Sequence, residues 1–208
     1  MTDAAGFRDV PTTTIGDLLG RERFMDIGIR PLWGTPRLAG PAYPVRCAKG
    51  DNLMLHAAIY RAEPGSVIVV ESGDLDYALA GGNVCAIAHR RGVAGFVLDG
   101  LVRDIGEVRE LGFPVYGRGV IPKPGGKCQA GPLGEPVTCG GVTVYPGDVI
   151  VADEDGVAVV PAARADEVLA DARACLAKEA AETLDEWEAA HHARVEKILA
   201  EQGFEDRA

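Results

Sequence analysis

The sequence predicts an α/β fold, and three features carry that reading. A β-branched run, Ser66-Val67-Ile68-Val69-Val70-Glu71, and a second apolar run around Phe96-Val97-Leu98 have the composition of strands covered on both faces. Between them Gly81-Gly82 opens a helical stretch, so the three make a strand, helix, strand unit. Further on, Val137-Thr138-Cys139, Val142-Thr143-Val144, Val149-Ile150-Val151 and Val157-Ala158-Val159-Val160 are separated by turn signals and predict an antiparallel subdomain added to the parallel unit.

The other elements follow in chain order. Thr12-Thr13-Thr14 ahead of Ile15-Gly16-Asp17-Leu18-Leu19 predicts a short helix capped by threonine hydroxyls. Residues 31–44 hold too much proline and glycine for a helix and read as a loop entering an edge strand that ends near Cys47. Gly50-Asp51-Asn52 stops that strand and caps a helix to about Arg61, with Leu53, His56, Ala57 and Tyr60 on one face. Residues 105–111 read as a short helix and 113–116 as a strand. Gly117 to Gly134 holds six glycines and three prolines in eighteen residues, which predicts a long ordered loop, and such loops are usually functional. Pro161 opens a helix predicted to run almost to Gln202, with Leu169, Leu176, Leu184, Trp187, Val195 and Ile198 at helical steps. A helix this long cannot bury its whole stripe on one small domain. Residues 161–208 are therefore expected to leave the α/β domain of 1–160 and pack on a neighbouring subunit of a homo-oligomer.

The 208 residues, 47% hydrophobic and 25% charged, suffice for one well-filled core. A formal charge of -10 without a basic stripe argues against nucleic acid and anionic membranes as partners. No stretch approaches the roughly 18 apolar residues that span a bilayer, and the first residues lack an apolar signal core, so a cytoplasmic protein is expected. Cys47, Cys85, Cys128, Cys139 and Cys175 have neither C-x-x-C nor zinc-like spacing and read as reduced thiols, Cys128 alone in a loop that could expose it.

The chemistry concentrates between Gly81 and Asp104. If the two strands are parallel, the right-handed crossover brings both strand-to-helix loops to one edge of the sheet. The first loop ends at Gly81-Gly82, where the N–H groups of Asn83 and Val84 can hold a carboxylate or phosphate. The second delivers Arg103 and Asp104, a guanidinium beside a carboxylate able to bind a metal ion. Structural explanations compete: Asp104-Ile105-Gly106-Glu107 is a capping-box pattern, Arg103 could pair with Asp99, and paired glycines can serve close packing. His56 and His89 read as packed or solvated, and His191-His192 as a solvated face. The signatures of zincins, P-loop NTPases, serine hydrolases and dinucleotide-binding folds are absent.

These residues, continued by Glu107, Leu111-Gly112-Phe113-Pro114-Val115, Pro136 to Val142, Pro146 to Asp153 and Asp155-Gly156-Val157, resemble the RraA-like superfamily over about Ile15 to Glu179. That family includes 4-hydroxy-4-methyl-2-oxoglutarate / 4-carboxy-4-hydroxy-2-oxoadipate aldolases and the regulator of ribonuclease E activity. The resemblance implies a three-layer swivelling-type β/β/α domain, trimers or hexamers, and an active site at the subunit boundary. In the aldolases a D-x20-R-D pattern carries the chemistry, and its Arg and metal-binding Asp fall on Arg103 and Asp104. Asn83 and Val84 match the positions whose amides hold a pyruvyl carboxylate, and Glu179 could match an acid contributed by a neighbouring subunit. The non-catalytic regulator typically lacks the metal Asp. The resemblance thus implies an aldolase or oxaloacetate decarboxylase using Mg²⁺ or Mn²⁺, against a regulator acting by protein binding and, more remotely, a phosphohistidine carrier using His56 or His89. The pattern's first acid falls on Gly82. Because that acid serves proton removal from the substrate hydroxyl, decarboxylation is expected to survive better than aldol cleavage.

Overall fold

The structure, a computed structural model, describes residues 3–34 and 36–204. In chain order its helices are α1 (Thr12–Gly16), α2 (Leu53–Ala58), α3 (Gly82–Arg90), α4 (Ile105–Leu111), α5 (Ala165–Ala181) and α6 (Leu184–Glu201). The strands are β1 (Arg30–Pro31), β2 (Leu38–Arg46), β3 (Val67–Glu71), β4 (Ala78–Ala80), β5 (Gly95–Asp99), β6 (Leu101–Val102), β7 (Val115–Gly117), β8 (Gly119–Val120), β9 (Val137–Cys139), β10 (Val142–Val144), β11 (Val149–Asp153) and β12 (Gly156–Val160). Contacts group Met1–Ala172 into one unit and Arg173–Ala208 into another.

A seven-stranded sheet runs β1-β7-β5-β3-β2-β11-β12, parallel from β7 to β2 and antiparallel at both ends. Alternation in β3 and β5 builds two cores. Ile68, Val70, Phe96 and Leu98 pack with Leu55, Ala58, Cys85, Ala88 and Val108 of α2, α3 and α4. Val67, Val69 and Val97 face the other way, against Val137, Cys139, Val142, Val144 and Ile150. Helices, parallel sheet and antiparallel strands are the three layers of a β/β/α fold. Each fully buried valine, leucine or phenylalanine contributes about 1.5–3 kcal/mol of transfer free energy, which holds the parallel strands in register.

Several sequence expectations fail for identifiable reasons. β2 is interior, although it contains Pro41 and Pro44. The Ala42 N–H and C=O face the β11 side, bonding Asp148 O and Gly147 N, so the nitrogens of even-numbered residues point there and those of odd-numbered ones towards β3. The nitrogen of Pro44 thus faces β11 beyond its last paired residue, and that of Pro41 faces β3 before its first. Neither proline removes a ladder hydrogen bond. β11 and β12 join the main sheet instead of forming a separate subdomain; of the four strands expected there, β9 and β10 alone pair apart from it. In α1 no threonine caps: the Thr12 N–H and hydroxyl donate to Asp153 at 2.8 and 2.6 Å. In α2 the buried face is Met54, Leu55 and Ala58, with Tyr60 beyond its end and exposed.

The predicted single C-terminal helix is two. Pro161 leads into a turn at Ala162–Arg164, α5 ends at Ala181, and Thr183 starts α6 with a full capping box, its hydroxyl accepting from Glu186 N while Glu186 accepts from Thr183 N at 2.9 Å. Among the described residues no helix is long and apolar enough to cross a membrane.

Candidate active site

Three parallel strands prolong the main sheet: β4 follows β3, β6 follows β5 and β8 follows β7, in the order β4-β6-β8. Their carboxyl ends open onto α3, α4 and the 117–134 loop. Ligands of parallel α/β sheets bind at this end, because helix N-termini and variable loops gather there. The Arg103 N–H, donating to Ala80 O at 2.9 Å, ties the two strand-to-helix loops together. A pocket of about 70 Å³ opens beside them, lined among others by Asn52, His56, Asn83, Arg103, Asp104 and Lys127.

Gly81 and Val84 also border this pocket, whereas Gly82 lies behind it, buried, with its N–H donating to Asp104 Oδ2 at 3.2 Å. The Asn83 and Val84 N–H groups sit in the first turn of α3, where a helix supplies no acceptor. Gly81, Asn83, Val84, Arg103 and Asp104 therefore border one opening, and Gly82 does not reach it. Glu179 is exposed on α5 in the unit Arg173–Ala208.

Of the three competing structural explanations, the capping box and the Arg103–Asp99 pair do not hold. Asp104 takes φ 56° and ψ 36° as N-cap of α4 and makes no side-chain cap bond; it is the one non-glycine residue of positive φ among those described. A left-handed aspartate costs roughly 1 kcal/mol. That backbone turns the carboxylate away from its own helix and towards α3. Arg103 does not pair with Asp99, whose carboxylate is taken by Arg118 Nε and Gly140 N. Arg103 Nε instead stands 3.4 Å from Asp104 Oδ2, both side chains well exposed. A pair that open adds little stability. The glycines do serve close approach: a β-carbon on Gly81 would run into Asp104 Oδ2, and one on Gly82 into the Glu107 carboxylate.

Three more groups complete the wall: Asn52 and Lys127, which the sequence reading gave no part in a site, and His56, which it read as packed or solvated. Asn52 is 5% exposed, gives Nδ2 to Ala78 O at 3.2 Å, and holds an Oδ1 with no partner among the described residues. A buried unpaired oxygen costs about 1–3 kcal/mol unless a ligand or water donates to it. His56 is half-buried, and burial first, then the Lys127 and Arg103 charges, lowers its pKa below the ordinary 6.5; the imidazole is neutral at pH 7. Lys127 is set by Asp51, 3% exposed, which accepts from the N–H groups of Leu53, Cys128 and Gln129. The glycine and proline content of 117–134 signalled an ordered loop, but nothing in its spacing singled out Lys127.

The thiols lie apart from this chemistry. Burial pushes Cys47 up to about 11 and Cys85 up to about 12, while Cys128 is exposed. No three His, Cys, Asp or Glu side chains converge as metal ligands among the described residues. A cation here would rest on Asp104 and keep most of its waters, a donor set that fits Mg²⁺ or Mn²⁺.

Layers and cleft together define an α/β protein of the swivelling β/β/α type, with its opening at the carboxyl ends of short parallel strands. The model of the RraA-like family, described as Aldolase/RraA, matches residues 12–159, and the chain belongs to that family. A protein of Halalkalibacterium halodurans named "Putative 4-hydroxy-4-methyl-2-oxoglutarate aldolase" is 42% identical over 168 residues, covering 80% of each chain. The structure of Streptomyces coelicolor RraAS2, described as an unusual member of the RNase ES inhibitor RraA protein family, superposes with TM-score 0.73 at 29% identity, covering 92% of this chain and 96% of that one. The RNA-processing inhibitor RraA from Thermus thermophilis gives TM-score 0.68 at 32% identity over 74% and 93%.

Proposed function

We propose that the protein is a carbon–carbon lyase that releases pyruvate from a 4-hydroxy-2-oxo diacid, of the 4-hydroxy-4-methyl-2-oxoglutarate or 4-carboxy-4-hydroxy-2-oxoadipate type, or from oxaloacetate. The observation that carries this reading is Asp104. Its carboxylate is held off its own helix at a strained backbone position, beside the exposed Arg103 guanidinium and two first-turn amides of α3. Structural capping would need none of this. The name of the Halalkalibacterium relative supports the same chemistry.

In this reading the Asn83 and Val84 amides hold the carboxylate of the pyruvyl unit at the positive end of α3. Asp104 would hold a divalent cation, Mg²⁺ or Mn²⁺, which when bound supplies a Lewis acid for the 2-oxo group. Arg103 is aimed at the oxygen that becomes negative as the carbon–carbon bond breaks, and a preformed cation there stabilises the enolate. Pyruvate release, followed by coupling to lactate dehydrogenase with Mg²⁺ and then with EDTA, tests the reading. No pyruvate from the hydroxy-oxo diacids or oxaloacetate overturns it.

The protein is further inferred to act as a homo-oligomer, trimer or hexamer, because α6 exposes Leu184, Trp187 and Ile198. The alternative, a regulator that docks on a ribonuclease, is favoured by the two structural relatives described as inhibitors. It requires ribonuclease binding without pyruvate release and independent of the Asp104 charge.

A further inference from the structure

The lyase reading leaves one end of its substrate unheld: the Asn83 and Val84 amides take one carboxylate and Arg103 the oxo oxygen, but a diacid carries a second carboxylate. At about 70 Å³ the pocket is far below the roughly 300 Å³ and more of sites that enclose a whole small ligand, so that second group has to extend to the rim. Lys127 stands there. It lines the pocket, is exposed, and its ammonium makes no hydrogen bond or ion pair among the described residues. Its root is fixed, because both flanking residues are tied to the connection between β2 and α2. Gly126 O accepts from Asn52 N at 2.9 Å and Gly126 N donates to Gly50 O at 2.8 Å, while the Cys128 N–H donates to the buried Asp51 carboxylate. Asn52, joined in this way to the neighbour of Lys127, has the converse need: a buried Oδ1 acceptor without a donor, on a residue of the same pocket wall. The carboxylates and oxo group of a substrate cannot donate to it, whereas an ammonium has three N–H groups.

We infer that Lys127 is the receptor for the distal carboxylate of the diacid, its ammonium turned inward with one N–H on Asn52 Oδ1 and the others on the carboxylate, and that it favours aldol cleavage over decarboxylation. The inference rests on the lyase reading above. A cation at the rim offsets the repulsion between a dianion and a chain of formal charge -10. Its effect on the chemistry follows from the fate of the carboxylate. In aldol cleavage the C3–C4 pair forms the enolate of pyruvate, the hydroxyl loses its proton and C3 gains one. The distal carboxylate leaves on the new carbonyl product with its charge intact, so Lys127 holds ground state and transition state alike. In decarboxylation of oxaloacetate that carboxylate is itself the leaving group: the C3–C4 pair passes to the enolate, CO₂ departs neutral, and C3 takes a proton from water. Attraction to a cation then fades along the reaction and raises the barrier. The missing acid at Gly82 disfavours aldol cleavage, and Lys127 acts in the opposite direction.

Three compounds separate the outcomes: 4-hydroxy-2-oxoglutarate, 4-hydroxy-2-oxopentanoate, in which a methyl replaces the distal carboxylate, and oxaloacetate. Lys127→Met is expected to raise KM for the hydroxy diacid by about 10-fold to 100-fold with kcat held within about threefold. The affinity for 4-hydroxy-2-oxopentanoate, read as substrate or as competitor, should stay within about threefold. For oxaloacetate KM should rise as well, but kcat should increase. Lys127→Arg keeps the cation and should keep the preference for the diacid. Asn52→Ala should raise KM for the diacid in the wild type and not further in Lys127→Met, since the two residues act together. Equal weakening of diacid and monoacid in Lys127→Met, or an unchanged KM for the diacid, overturns the receptor while leaving the lyase reading standing. A kcat for oxaloacetate that falls overturns the reaction preference, and fully additive losses overturn the seat on Asn52. Wild-type protein that gives no pyruvate from the hydroxy-oxo acids or oxaloacetate overturns the lyase reading and the inference with it.

Discussion

The Gly82 amide donates to Asp104 Oδ2 at 3.2 Å across 22 positions of the chain, joining the N-terminus of α3 to that of α4. This bond fixes the side-chain direction of an aspartate whose left-handed backbone already points it away from its own helix. Asparagine tolerates the same backbone and keeps an oxygen for the Gly82 N–H. Asp104→Asn is therefore expected to shift the melting temperature by no more than about 2 °C. The same change removes the anionic donor for a cation, so metal-dependent pyruvate release should fall by about 100-fold or more. Calorimetry and the coupled assay on one preparation check both. Retained activity removes Asp104 from the site.

Asp51 governs the loop wall of the pocket. Burial alone would raise its pKa, but the N–H groups of Cys128, Leu53 and Gln129, helped by Lys127, outweigh it and hold the carboxyl below the usual range. Stability from Asp51 is accordingly present above the unfolded carboxyl pKa and lost as pH falls through the lower folded value. Asp51→Asn exchanges one acceptor oxygen for a donor facing N–H groups. A cost of about 2–3 kcal/mol is expected, since the group is buried and charged. Lys127 should lose its place with the loop, raising KM more than it lowers kcat. A denaturant titration and steady-state kinetics read the two effects, and an unchanged denaturation midpoint rejects the anchor.

His56 makes stability depend on pH near neutrality. Its folded pKa is lowered, so below pH 6.5 the unfolded chain takes up a proton that the folded one resists. The contribution of the neutral ring is present above the unfolded pKa and lost as pH falls through the folded one. Urea midpoints should fall between pH 7.5 and pH 5.5 more steeply for the wild type than for His56→Gln. Parallel pH dependences dismiss the effect.

Where local pattern and tertiary outcome agree, the sequence was readable. The β-branched run of β3 and the glycine pair before α3 fixed the crossover, and the crossover alone put Asn83 and Asp104 at one edge. What stayed hidden depended on partners distant in the chain. Pro41 and Pro44 spoke against an interior strand because their free sides exist only where β3 and β11 each cover half of β2. Asp104 and Glu107 matched a capping box, yet the backbone of Asp104 overrode it. Lys127 and Asn52 enter the pocket through Asp51, buried and bonded to a loop 77 residues on, which no spacing rule reports. The break between α5 and α6 was locally encoded, by Thr183 three residues before Glu186, but lay under a longer apolar periodicity.

That periodicity supports the last prediction. Leu184, Trp187, His191, Val195 and Ile198 follow one another at steps of three and four residues, the spacing of a helix–helix seam. Leu184 is 76%, Trp187 47% and Ile198 51% exposed, and the Trp187 ring stacks on His191 at 4.5 Å. Water against such a stripe costs about 25 cal/mol per Å² of apolar surface, and a second copy of the chain would remove it. Trp187→Glu and Ile198→Glu place charge in the middle of the stripe and are expected to lower the sedimenting mass without lowering helix content. Wild-type protein that sediments as a monomer, or variants that keep the wild-type mass, defeats the assignment of α6 to a subunit interface.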